Sequence, residues 1–172
     1  KKENIVIDQI LINDAAPVIA DFAMETITET IITDSAMIGH NPDTPGGQGL
    51  GIGITALFGQ NLKLDCEYII VVPRDVGYKE VSQWINKQVS EGKIINGLIV
   101  QKDEGTLINN RLDKKIPIVD EVKHIEGVPI NMPSAIEVAP IGYSVIALSD
   151  PYSLATIFDL TAEETAYCRN IA

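Results

Sequence analysis

Two acidic pairs in this 172-residue chain stand directly behind apolar runs. Asp103-Glu104 follows the run at 94–100, and Asp120-Glu121 closes the run at 116–119. Carboxylates are hard oxygen donors, and joined by a neutral hydroxyl or carbonyl they suit Mg²⁺ or Ca²⁺. Open α/β sheets bind ligands just beyond the carboxyl ends of their strands, where both pairs would fall. Spacing alone fits solvated surface pairs equally well. Imidazole bases are scarce: His40 and His124 are the two histidines, and neither sits in a nucleophile motif. Cys66 and Cys168 are too few for a disulfide framework or a multi-cysteine metal site, and they read as reduced structural thiols.

A glycine-rich stretch, His40-Asn41-Pro42-Asp43-Thr44-Pro45-Gly46-Gly47-Gln48-Gly49-Leu50-Gly51-Ile52-Gly53, invites a nucleotide-binding reading. The pattern Gly-x-x-x-x-Gly-Lys-Ser/Thr is absent, and Gly-x-Gly-x-x-Gly does not occur within residues 46–53. Two prolines and five glycines predict a shaped surface loop instead. Asp75-Val76-Gly77 resembles the phosphate loop of actin-like ATPases. The following Tyr78-Lys79-Glu80 provides none of the Ser, Thr or Asn that such a loop needs. Asp75 is expected near the start of the next helix, accepting from free backbone N–H groups.

Charge narrows the field further. Thirteen Lys and Arg face 24 Asp and Glu, a net charge of −11. Affinity for nucleic acid comes from basic contacts to phosphate, so a polyanionic partner is disfavoured. Cations, or basic patches on another protein, are favoured. No run approaches the ~20 apolar residues of a membrane span, and the apolar run near the start is too short for a signal peptide.

The elements that would position these groups are those of a mixed α/β chain. Residues 5–12 read as a strand, and the β-branched stretch 26–33 as another, although Ile19, Phe22, Ala23, Ile27, Thr30 and Ile31 also fit a helical stripe. Tyr68-Ile69-Ile70-Val71-Val72 reads as a buried strand. A helix carrying Val81, Trp84, Ile85 and Val89 follows, with Gly92 at its C-terminal cap. Residues 94–100 supply the next strand, completing a βαβ unit. Further short strands are expected at 116–122 and 135–139. Asp150-Pro151 opens a helix with proline in its first turn, and Thr161-Ala162-Glu163-Glu164 forms a capping box for a last one. That last helix has little apolar surface of its own, which points to a piece of a longer chain.

Long stretches of the chain resemble the large subunit of diol and glycerol dehydratase reactivases. The resemblance is carried by residues 16–33, by Met37-Ile38-Gly39-His40-Asn41-Pro42, and by Thr44-Pro45-Gly46-Gly47 with Gly49-Leu50-Gly51. Residues 98–105, Asn110-Arg111-Leu112, residues 116–122, residues 135–139 and Asp150-Pro151-Tyr152 extend it. It implies that residues 1–172 form a single swivelling domain, of three-layer β/β/α architecture, inserted in a larger actin/Hsp70-like ATPase subunit. ATP would be bound by the parent's ATPase core, and this piece alone would not be an enzyme.

The resemblance also implies a task. Such a reactivase is a chaperone for coenzyme B12-dependent dehydratases, exchanging damaged cobalamin for fresh cofactor at the expense of ATP. Its swivelling domain docks the reactivase small subunit through a shared Mg²⁺ or Ca²⁺, whose ligands here fall on Thr44, Asp103 and Asp120. A small-subunit carboxylate completes the site. Asp43 and Glu104 are acidic neighbours that compete for the same role. In isolation the docking face is bare, a route to self-association. The compartment implied is the cytoplasm, or a bacterial microcompartment housing the dehydratase. The alternative from another class is a freestanding metal-dependent enzyme that uses the same acidic cluster with His40 as base.

Overall fold

The computed structural model describes residues 28–32, 35–40 and 46–168. The strand expected at 5–12 lies outside them. The β-branched stretch forms β1 (Thr28–Ile32), followed by β2 (Ser35–His40), β3 (Gly49–Leu57) and β4 (Glu67–Val72). Helix α1 (Tyr78–Ser90) leads to β5 (Ile94–Val100), then the short α2 (Gly105–Asn109) and β6 (Ile118–Val119). Strand β7 (Pro133–Val138) and helices α3 (Pro151–Phe158) and α4 (Ala162–Cys168) complete the described chain.

The strands form one mixed sheet in the order β1-β2-β7-β3-β4-β5-β6. Strands β3, β4, β5 and β6 run parallel to one another, and β7 joins them antiparallel to β3. The expected βαβ unit is β4-α1-β5. Alternation along β4 divides the interior in two. Tyr68, Ile70 and Val72 face Val81 and Ile85 of α1 and Ile108 of α2. Ile69 and Val71 face the other way, joining Ile99, Val119, Ile136, Val138 and Ile38. This second cluster unites strands from opposite ends of the order, and β6 indeed touches both β2 and β7. The sheet therefore curls until strand packs on strand, with α1 and α2 as an outer layer. That is the β/β/α arrangement.

The caps follow their local chemistry. Gly92 takes φ +84°, and its N–H donates to Val89 O at 3.0 Å, the left-handed turn that ends α1. The Asp150 carboxylate accepts from Ser153 N–H at 2.8 Å above Pro151. In α4, Thr161 N–H donates to Glu164 Oε2 at 2.8 Å, and Glu164 N–H donates to Thr161 Oγ1 at 3.3 Å. That reciprocal pair holds the exposed Glu164 carboxyl below its ordinary value of 4.5, chiefly through the backbone bond from Thr161.

Three expectations are corrected. Residues 49–53 are not loop; they begin β3, which lies between β7 and β4. Glycine is needed there for close approach, since a Cβ on Gly53 would lie 2.8 Å from the Glu67 carbonyl. The alternation Gly-Leu-Gly-Ile-Gly-Ile is the period-two signal of a strand, hidden by its glycines. Second, Asp75 does not cap α1: the cap is Gly77, with no side-chain bond. Third, the strand expected over 116–122 pairs only at Ile118 and Val119. Pro117 has no N–H to give the ladder, and Glu121 turns the chain away at φ 60°.

Candidate divalent-cation site

Asp120 stands one residue past β6 and is only 9% exposed. Its Oδ2 accepts the N–H of Gly105, the first residue of α2, at 2.7 Å. Between β5 and α2 runs the loop that carries Asp103, which is exposed. The loops behind β5 and β6 are laced together by backbone bonds. Glu121 N–H donates to Lys102 O at 3.3 Å, and Val122 N–H donates to Val100 O at 3.1 Å. The two acidic pairs read from the sequence thus share one end of the sheet, and a single residue separates Asp103 from Glu104's neighbour Gly105. Lys102, which precedes Asp103, donates from its Nζ to Val76 O at 3.2 Å.

A third segment reaches the same place. Gly47 forms an antiparallel bridge with Ile118, whose N–H donates to Gly47 O at 3.3 Å. Gly46 lies so close to Gly105 that a Cβ on it would meet the Gly105 carbonyl carbon at 2.5 Å. Thr44, the third expected ligand, lies outside the described residues, as does Asp43. In sequence Thr44 precedes Gly46 by two positions.

The surroundings fit a cation. Among the described residues, Glu104 Oε2 and Asn109 Oδ1, at the two ends of α2, are buried acceptors with no hydrogen-bond partner. An unmet buried acceptor is costly, and a carboxylate oxygen more so, unless positive charge is supplied. Among the described residues no three His, Cys, Asp or Glu side chains converge as a metal cage. Asp103 and Asp120 would therefore need further oxygens, for which Thr44 and a partner carboxylate were the sequence expectations.

His40 ends β2 in register with Val138. His124 Nδ1 stands 3.5 Å from Glu126 Oε1 as an exposed pair. Cys66 is half-buried against the core under α1. Sequence reasoning missed Gly105 and Gly46 as parts of this corner. A faint signal existed: glycine is a poor helix former, yet Gly105 follows an acidic pair and opens a helix.

The fold and this corner define a mixed α/β domain with an oxygen-rich edge, and comparison with known proteins places it more closely. The DD-reactivating factor swiveling domain family matches residues 32–172, and the chain belongs to that family. It is 52% identical over 161 residues to the propanediol dehydratase-reactivating factor large subunit of Salmonella typhimurium, covering 92% of this chain. The diol dehydratase-reactivating factor large subunit of Klebsiella michiganensis is equally similar, at 52% over 161 residues. In both cases the chain spans only 26% of the relative's length. Among solved structures, diol dehydratase-reactivating factor in nucleotide-free form matches with TM-score 0.71 and 49% identity, over 84% of this chain and 24% of that one. A glycerol dehydratase reactivase matches with TM-score 0.72 and 44% identity, over 83% of this chain and 24% of that one.

Proposed function

We propose that this chain is the partner-docking, swivelling domain of a reactivating chaperone for a coenzyme B12-dependent diol or glycerol dehydratase. The parent large subunit binds and hydrolyses ATP in a separate core and drives exchange of damaged cobalamin for fresh cofactor. This domain catalyses nothing itself. Its task is to hold the reactivase small subunit, with Thr44, Asp103 and Asp120 contributing oxygens to a shared Mg²⁺ or Ca²⁺. The reading also carries the cytoplasm, or a microcompartment within it, as the working location.

The observation that supports it most is the meeting of three chain segments at one corner. Residues 46–47, the loop behind β5 and the loop behind β6 come together around the Gly105–Asp120 hydrogen bond. When bound, a divalent cation supplies positive charge that bridges the two proteins. Asp120 is held for this by Gly105, and Asp103 sits at the exposed rim, where a partner oxygen has access. An ion bound jointly by two proteins must link metal affinity to partner affinity, because coupling free energies are reciprocal. The acidic surface also keeps nucleic acid away.

The test is calorimetric titration of the reactivase small subunit into this chain, with Mg²⁺ or Ca²⁺ and with chelator. Affinity should fall when the ion is removed. Asp103→Ala with Asp120→Ala should abolish that ion dependence. Small-subunit binding that ignores both chelator and the double substitution would overturn the shared-ion reading.

A further inference from the structure

The corner contains a second feature besides its oxygens, a stack of backbone and side chain with no room between layers. An added Cβ on Gly105 would stand 2.5 Å from Asp120 Oδ2 and 2.9 Å from its Cγ. From the other side, an added Cβ on Gly46 would stand 2.5 Å from the carbonyl carbon of Gly105 and 2.8 Å from its Cα. Gly46 thus braces Gly105, and Gly105 both hydrogen-bonds and abuts the Asp120 carboxylate. Asp120 is buried and short, with no flexible stem to absorb a push.

We infer that Gly105, braced by Gly46, is the positioning residue that sets ion selectivity at this site, favouring the smaller Mg²⁺. The inference rests on the ion-site reading above and deepens it. Mg²⁺ demands near-ideal octahedral geometry at about 2.0–2.1 Å, whereas Ca²⁺ accepts irregular oxygen cages at about 2.3–2.6 Å. A carboxylate pinned by a backbone N–H at 2.7 Å and walled by backbone offers one fixed orientation. With Oδ2 engaged by the amide, bidentate capture of a large ion is disfavoured. A methyl group at position 105 would drive the carboxylate aside, and the ion with the stricter geometry would lose more.

Calorimetric titration of the 172-residue chain with MgCl₂ and with CaCl₂, carried to millimolar ion, tests this. Gly105→Ala should weaken Mg²⁺ by about 10–100-fold, the usual effect of disturbing an outer-shell partner. Ca²⁺ should weaken less, so the Mg²⁺-to-Ca²⁺ affinity ratio drops. Gly46→Ala should move the ratio the same way by a smaller factor, while Asp120→Asn should weaken both ions together. A merely structural role for the glycines would lower both affinities in parallel and leave the ratio where it was. If Asp120→Asn weakens both ions but the glycine variants keep the native ratio, the selectivity inference is overturned and the ion site stands. If the unsubstituted chain binds neither ion, or Asp120→Asn changes nothing, the ion-site reading falls and takes this inference with it. Should the glycine variants lose their circular-dichroism spectrum, the native Gly105 amide decides in ¹⁵N NMR. Its resonance should shift further with Mg²⁺ than with Ca²⁺, and an amide that ignores both ions overturns the inference.

Discussion

The acidic corner and the C-terminal helical pair are built on opposite principles. Around Asp120 the contacts join residues distant in sequence: Gly105 to Asp120, Gly46 to Gly105, Gly47 to Ile118. In α3 and α4 the organising bonds span three residues, Asp150 to Ser153 and Thr161 to Glu164. The helical pair has only a small cluster behind it, Leu148 and Leu154 against Ala135, with Ile157, Phe158 and Leu160 at its margin. The corner rests on Ile99 and Val119, which belong to the larger cluster inside the curled sheet. Local bonds define an element, whereas long-range contacts make a site depend on the whole fold.

The contrast predicts graded damage. Ile99→Ala, a truncation at a fully buried position, should destabilise the domain by about 2–5 kcal/mol. It should also loosen the corner, read by denaturant unfolding together with exchange of the Gly105 amide. If that amide stays protected while the domain loses stability, the corner is more autonomous than its contacts imply. Asp150→Ala should cost less, about 0.5–2 kcal/mol, through loss of the N-cap of α3. Its effect should stay with the helices, leaving Gly105 exchange unchanged. Equal loosening at both places would erase the distinction between the two regions.

The smallest effect concerns acid. The Glu164 carboxyl is held below its ordinary 4.5 by its bonds from Thr161. A depressed folded value means the contribution is complete above 4.5 and is lost as pH falls through the folded value. Helical circular dichroism should therefore decline on acidification in that window, by an amount confined to α4. Glu164→Gln should remove that portion of the pH dependence. An identical acid profile in the variant would show that the capping box does not govern the end of α4.

What could be read from residues follows the same division. The βαβ unit, the Gly92 cap, the Asp150 cap and the capping box are encoded in neighbours a few positions apart, so pattern and propensity suffice. The first half of β3, residues 49–53, reads as loop because glycine is a turn former by propensity, while here it admits a neighbouring backbone. The strand over 116–122 is shorter than its apolar run because Pro117, visible in the sequence, cannot donate, and because Glu121 turns left-handed, which no residue type announces. The acidic pairs were found as candidates, but their spacing did not distinguish a site from solvated surface.

By itself the sequence determined the α/β class, the C-terminal cap of α1, the N-terminal caps of α3 and α4, the acidic balance and the resemblance that the family match bears out. Those properties live in composition, in short-range hydrogen bonding and in long stretches of matching residues. Only the tertiary structure decided that Gly46, Gly105 and Asp120 stack in one place, and that the sheet curls until β6 meets β7. Such approaches depend on where distant backbones come to rest, and no local propensity records the space between them.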